Sequence, residues 1–289
     1  MRVVFLGTPE AAVPSLLALV NAGYDVVTVV TRPDRRRGRG SELSPSPVKA
    51  AALAHNIPVV HRVADLAHVT VDIGVVVAYG AMIPEGVLER IPMLNVHFSL
   101  LPRWRGAAPV ERALLAGDVE TGVGIMTLEK TLDTGPIHAE SRLLIGSKTA
   151  SQLTDELAQV GAGLLVKVLD SPTLLASPRP QVGESTYAEK LTPDTFKLTP
   201  DRSATYAERV VRLERAWCMV GEKRLRVLAA RIGTDRGVPG AIAVEGSAVA
   251  LGFADGTLVL EAVQPEGSKA MPAAAWWAGA RLGPDATWH

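Results

Sequence analysis

Two β-branched runs flanking a single helical stretch leave the first 30 residues one arrangement. Val3–Leu6 is apolar and stops at Gly7. Ala11–Val20 follows, with Val13, Leu16, Leu17 and Val20 at helical spacing. Gly23 punctuates it, and Val26–Val30 is the second run. Strand, helix and strand at these lengths form a βαβ unit with parallel strands and a right-handed crossover. The pattern continues, with a short helix expected at Lys49–His55 and a third strand at Ile57–Val60. Ile73–Ala78 has no polar side chain, as a strand covered on both faces requires. Leu94–His97 is a further strand. The first half is therefore expected to be an α/β domain on a doubly wound, mostly parallel, Rossmann-like sheet.

The texture changes near Ser171. The stretch SPTLLASPRPQVGES, residues 171–185, is rich in Pro and Ser and reads as an extended loop or linker. A helix is expected at Ala204–Arg215. Short strand-like runs follow at Leu225–Val227, Ala241–Val244, Ala248–Gly252 and Thr257–Ala262, with Gly beside most of them. Such spacing suggests a small β-barrel. The expected division is a first domain over 1–180, a linker over 181–202 and a second domain over 203–289.

A length of 289 residues suits two domains. A hydrophobic content of 47% with zero net charge excludes disorder along the whole chain. The longest apolar run, Ile73–Ile83, is about half of the roughly 20 residues a membrane span needs. No charged head, apolar stretch and cleavage site precede MRVVFLGTPE, so a cytoplasmic protein is expected, and a monomer. Cys218 is the single cysteine, which excludes a disulfide framework. Its WCMV context reads as a small buried hydrophobe. Balanced charge gives no global basic field and argues against generic nucleic-acid coating.

Three segments carry candidate chemistry. The turn GTPEAAVP after the first strand has neither GxGxxG nor GxxxxGK. Neither phosphate-cradling mechanism is indicated, which weakens a dinucleotide oxidoreductase. The second segment is RPDRRRGRGSELSPSPVK, residues 32–49, with Arg32, Arg35, Arg36, Arg37 and Arg39 around Gly38 and Gly40. It is either a solvated loop or a cationic element for a phosphate backbone. Its place at the carboxyl end of a strand, where open α/β sheets bind ligands, favours the second reading.

The third segment is LNVHFSLLPRWRGAAPVERALLAGD, residues 94–118, with LDTGP at 132–136. Asn95 and His97 share one face of a strand because side chains alternate with period two. Asp133 follows on a Gly-ended turn. No Ser or Cys stands in a nucleophile elbow, so an acyl-enzyme is not implied. The set suits direct transfer between two bound substrates. Asn95 and a protonated His97 can hold a developing oxyanion, and Asp133 can tune His97 or take a proton. A capping Asn, a core His and a turn Asp remain the alternative reading of the same three residues. His55, His61, His68 and His138 fit no metal-ligand spacing, so no metal is expected. Trp276 and Trp277 read as packing residues ahead of base-stacking ones.

The string NVHFSLLPRWRGAAPVERALLAGD with LDTGP resembles the signature of the 10-formyltetrahydrofolate-dependent formyltransferases. FLGTPE, GRG with PSPVK, VVVAYG at 75–80, TYAEKL at 186–191 and SKAM at 268–271 extend the resemblance along the chain. The RWRGAAP form and the arginine loop are similar to the branch that acts on tRNA. The resemblance implies catalytic roles for Asn95, His97 and Asp133. It implies a folate-binding segment at Ser99, Leu100, Leu101 and Pro102, and a pterin pocket reaching Tyr79. It places tRNA contacts at Arg36, Arg37 and Arg39, and an OB-like C-terminal barrel that holds the tRNA. 10-Formyltetrahydrofolate would be a consumed co-substrate, initiator methionyl-tRNA the acceptor, and no metal would be needed. The rival readings are a formyltransferase for a nucleotide or amino-sugar amine, and a catalytically inactive tRNA-binding module.

The chain departs from the family pattern in places. Phe98 follows the histidine where a small residue or Pro is usual, and it either narrows the folate pocket or packs away from it. Ser41 and Glu42 stand where lysines commonly follow GRG. The segments His61–Asp72 and around Cys218 are short.

Overall fold

The computed structural model describes residues 1–36, 43–283 and 285–289. Arg37, Arg39, Ser41 and Glu42 lie outside the described residues. The chain divides into two compact units. The first comprises residues 1–110, 119–145 and 153–189, and the second 111–118, 146–152 and 190–289.

The first unit is built on a seven-stranded sheet. Its order is Ile137–Leu144, Glu120–Thr127, Met93–His97, Ile73–Val77, Arg2–Gly7, Asp25–Val30 and Val59–Val60. The five strands from Met93–His97 onward run parallel, and the other two join antiparallel at one edge. All five residues of Ile73–Val77 are buried, which is why that run lacks polar side chains. The helix Val13–Asn21 buries Leu16 and Leu19, with Pro in its first turn where no amide bond is lost. The helix Pro47–Ala54 starts at Ser46, whose Oγ accepts the Lys49 N–H at 3.0 Å. The chain winds outward from Arg2–Gly7 and then returns to its other side as Ile73–Val77. Strand order reverses there, the point at which open α/β sheets bind ligands beyond the carboxyl ends of their strands.

The 21-residue helix Ala150–Asp170 lies close on the sheet. A Cβ on its Gly161 would stand 2.9 Å from Val123 and 3.0 Å from Val96. The stretch read as a linker does not start where the sequence suggests. Pro172–Ala176 is a short helix capped by Ser171. Arg179 then exchanges two backbone bonds with Ile137, and Tyr187–Ala188 pairs parallel with Arg105–Gly106. These bonds hold residues up to Glu189 in the first unit.

The second unit is an antiparallel sheet. Its order is Trp217–Val220, Lys223–Ile232, Thr257–Pro265, Ala248–Gly252 and Ile242–Glu245, with Met271–Pro272 beside the third. Register shifts between Val227 and Ala230 curl the long second strand. Helix Ala204–Arg212 ends short of the expected Arg215, because Glu214 takes a left-handed φ of 64°. Its Val210 joins a core containing Cys218, Val227, Phe253, Leu258 and Trp288. The terminal residues reach both outer strands. Met219 and His289 exchange backbone bonds of 2.7 and 2.9 Å, while Ile242 N–H donates to Ala286 and Trp288 N–H to Gly240. Trp276 is buried in the core and Trp277 packs against it, as packing residues do.

Candidate active site

Strand Met93–His97 delivers Asn95 and His97 to the carboxyl end of the sheet. Asn95 lies opposite Val76 in one neighbour and Met126 in the other, and His97 lies opposite Gly124. His97 is buried, at 6% exposure. Its Nε2 lies 2.9 Å from the Trp104 carbonyl oxygen. A carbonyl only accepts, so Nε2 carries the proton in that bond. Nδ1 is left as the nitrogen facing Asp133, 3.7 Å from Oδ2.

Asp133 is held by a turn that its neighbours define. Its φ of 51° is left-handed, which Asp tolerates better than most residues. Oδ2 accepts the backbone N–H of Gly106 at 2.8 Å. A Cβ on Gly135 would fall on the Thr127 carbonyl oxygen, so the glycine of LDTGP lets the turn press against the sheet. Asp133 is buried at 6% exposure, like His97. The structure thus brings His97 and Asp133 into one water-poor site beside Asn95, where charges interact more strongly than in water.

The loop between His97 and Gly106 is fixed by its own polar groups. Ser99 Oγ donates to the Arg103 carbonyl at 2.6 Å. The Leu101–Pro102 peptide is cis, and Trp104 has a φ of 63°. The left-handed φ of Trp104 costs a bulky residue about 1–3 kcal/mol and persists only where its surroundings hold it. The Trp104 N–H donates to Thr186 Oγ1 at 3.0 Å, and the Arg105 N–H to the Thr186 carbonyl at 2.9 Å. Gln181 joins Arg105 to the Asp133 turn through its side-chain amide. Neither Gln181 nor Thr186 stands out in the sequence, although Thr186 begins the TYAEKL string.

Both halves of the chain match known families. The Formyl transferase model matches residues 1–169, and the Formyl transferase C-terminal domain model matches residues 190–281. The chain belongs to the formyl transferase family. It is 42% identical to the methionyl-tRNA formyltransferase of Paracoccus denitrificans over 289 residues, covering 95% of this chain and 96% of that protein. Identity to the methionyl-tRNA formyltransferase of Novosphingobium aromaticivorans is 45% over 289 residues, covering 95% of each. Two solved structures share the fold. One is a sugar 3N-formyl transferase crystallised with dTDP and 5-N-formyl-THF, with a TM-score of 0.70 and 17% identity, covering 93% of this chain and 99% of that one. The other is the methionyl-tRNA formyltransferase from Clostridium thermocellum, with a TM-score of 0.58 and 16% identity, covering 82% and 95%.

The remaining positions of the formyl transferase signature take distinct places. In SLLP, Ser99 is fully buried and its hydroxyl closes the loop described above, so it faces the protein. Leu101 packs with Met126 and Ile137. Leu100 covers the space a Cβ on Gly122 would need. Pro102 is half-buried, and its carbonyl accepts the Thr186 N–H at 3.3 Å. Tyr79 follows the Ile73–Val77 strand and packs with Val4, Leu6, Val30 and Val76. Burial raises its phenol above the usual range, and the Arg32 guanidinium offsets part of that. Arg32 itself donates to the Gly80 carbonyl at 2.9 Å. Arg36 lies in an exposed ribbon, Arg35–Arg36 paired with Leu43–Ser44.

Phe98 turns away from Asn95, His97 and Asp133. It is buried, and its Cε1 lies 3.8 Å from where a Cβ on Gly161 would stand, on the helix side of the sheet. His138 is tied off, with Nδ1 donating to the Leu174 carbonyl at 3.0 Å and Nε2 accepting the Thr127 hydroxyl at 2.9 Å. Among the described residues there is no cluster of His, Cys, Asp and Glu suited to a metal. None of their helices is long and apolar enough to cross a membrane.

Proposed function

We propose that this chain transfers the formyl group of 10-formyltetrahydrofolate to the α-amine of methionyl-tRNA, giving formylmethionyl-tRNA for translation initiation. The observation that carries the proposal is identity of 42–45% to methionyl-tRNA formyltransferases along nearly the whole of both chains. Formylation of an amino sugar or nucleotide is disfavoured, because the relatives at 42–45% identity are methionyl-tRNA formyltransferases, whereas the likeness to the sugar enzyme is one of fold alone.

The chemistry follows from the site. The neutral amine attacks the formyl carbon, forming a C–N bond and a tetrahedral oxyanion. Asn95 donates to that oxygen from its side-chain amide, and His97, in its protonated form with an N–H on Nδ1, stabilises the charge beside it. Asp133, fixed by the Gly106 N–H, takes a proton from the attacking nitrogen. Collapse breaks the bond from the carbon to N10 of the folate, and the proton ends on N10. Because Nε2 of His97 is engaged by Trp104, Nδ1 is the ring nitrogen that serves the reaction. Ser99, Leu100, Leu101 and Pro102 shape the folate site by holding the loop, and Tyr79 borders the pterin. Arg36, Arg37 and Arg39 meet the acceptor stem.

The second unit holds the tRNA body as an OB-like barrel, with residues 203–289 as its main part. The bonds from Met219 and Ile242 to the chain's last residues support that reading, since they join the two outer strands. The proposed setting is a cytoplasmic monomer.

The test incubates purified protein with 10-formyltetrahydrofolate and methionine-charged initiator tRNA, and measures formylmethionine after hydrolysis. Elongator methionyl-tRNA runs in parallel. Formylation of the initiator is the expected result. No transfer to either tRNA by folded protein with intact donor overturns the proposal.

A further inference from the structure

The Gln181 side chain spends every hydrogen-bonding valence it has on two pieces of the active site. Its Nε2 donates to the carbonyl of Asp133 at 2.8 Å and to that of Gly135 at 2.8 Å. Its Oε1 accepts from Arg105 Nε at 3.1 Å and from the same guanidinium's NH2 group at 2.6 Å. A primary amide offers two N–H donors and two acceptor lone pairs, so the set is complete. The orientation of the amide is fixed too. Flipping it would aim an oxygen at two carbonyls and an NH2 group at a guanidinium, and all four contacts would become repulsive.

The two pieces joined are those that set the His97–Asp133 geometry. The Asp133–Gly135 turn carries the carboxylate. Arg105 lies between Trp104, whose carbonyl anchors His97 Nε2, and Gly106, whose N–H anchors Asp133 Oδ2. Thr186, five residues on, anchors the Trp104 N–H. The short segment 181–188 therefore grips the loop behind His97 and the turn behind Asp133 together.

We infer that Gln181 is a positioning residue for formyl transfer, which sets the placement of the Asp133 carboxylate against His97 without itself touching substrate. The inference rests on the proposed formyl transfer. A displacement of about 1 Å at a reacting group costs on the order of a hundredfold in rate. Because Gln181 acts through Asp133, the loss falls on kcat and spares KM.

The test compares wild type, Gln181→Ala and Gln181→Glu in the formylation assay, with a thermal melt of each. Gln181→Glu keeps the size and the acceptor for Arg105 but loses both donors, so it separates bonding from packing. Thr186→Val, isosteric and blind to Trp104, is the second variant if Gln181→Ala fails to fold. The expected result is a fall in kcat of about 10- to 100-fold in the Gln181 variants and in Thr186→Val, with KM for donor and tRNA within about threefold. Wild-type kcat in folded Gln181→Glu overturns the inference, as does a loss seen only in KM. Absence of transfer by the wild type overturns the formyl transfer reading instead, so the two failures are distinct.

Discussion

The backbone N–H of Gly106 donates to Asp133 Oδ2 at 2.8 Å. Gly106 makes that bond with a φ of 120°, which side chains rarely adopt. A Cβ there would stand 2.8 Å from the Ala188 carbonyl oxygen. Gly106→Ala must therefore strain the Arg105–Gly106 pairing with Tyr187–Ala188 and withdraw the amide from Asp133. The expected outcome is a loss of about 1–3 kcal/mol in stability and a fall of at least about tenfold in kcat. Urea unfolding and steady-state kinetics check it, and a variant with wild-type kcat would show that the carboxylate does not depend on this amide.

Asp133→Asn keeps the shape of the side chain and its acceptor for Gly106, and removes the charge that faces His97 Nδ1 at 3.7 Å. If Asp133 moves a proton during transfer, kcat drops by about 100- to 10,000-fold, the range of general acid–base catalysis. Donor KM should stay within a few-fold, because no folate contact is altered. A kcat near wild type would reduce the aspartate to a turn residue.

Much of this arrangement is legible in the sequence, and the illegible parts have physical causes. The runs Val3–Leu6, Val26–Val30 and Ile73–Val77 announce a covered parallel sheet, because nearly all of their residues, on both faces, are buried. The strand Glu120–Thr127 is hidden by its two glycines. A Cβ on Gly122 would collide with the Ser141 carbonyl and Leu100, so a residue typical of turns is demanded by packing. Its partner Ile137–Leu144 is an edge strand bearing Glu140 and Arg142, and lacks the apolar signal. In Ala150–Asp170, buried Leu153, Leu157, Leu165 and Val168 lie at helical spacing, but Gly161 interrupts the stripe. Asn95, His97 and Asp133 are visible as polar residues at strand and turn ends. The Trp104 carbonyl and Gly106 N–H that orient them are backbone groups, which no residue identity reveals. Gln181 sits in a Pro- and Ser-rich stretch whose composition resembles a linker.

Cys218 supplies a pH-dependent prediction. Burial pushes its thiol up from 9.0 to about 12, and Lys197 offsets little of that. The native state therefore holds the proton more tightly than the unfolded state. The stability this gives is fully present below pH 9 and is lost as the pH rises from about 9 towards 12, where only the unfolded chain ionises. Cys218→Ala should flatten the fall in stability above pH 9. A thiol reagent at pH 8 should find no reactive group in native protein and one per chain in denaturant. Rapid labelling of the native protein would contradict the burial.

Trp288 is 2% exposed in the core of the second unit, with its ring centroid 4.8 Å from that of Phe253. Its backbone pairs with Gly240 and Val220, beside the outer strands. Trp288→Ala leaves a large cavity there, and should cost about 3–5 kcal/mol. Trp288→Phe is a sharper probe. Nε1 is buried without a hydrogen-bond partner among the described residues. Burying such a donor costs about 1–3 kcal/mol, which phenylalanine does not incur. The smaller ring forfeits some contact, and the two effects oppose each other. Trp288→Phe is therefore expected within about 1.5 kcal/mol of wild type in urea unfolding. A loss as large as that of Trp288→Ala would mean that the indole N–H is satisfied in solution, and that its hydrogen bond helps to hold the end of the chain in place.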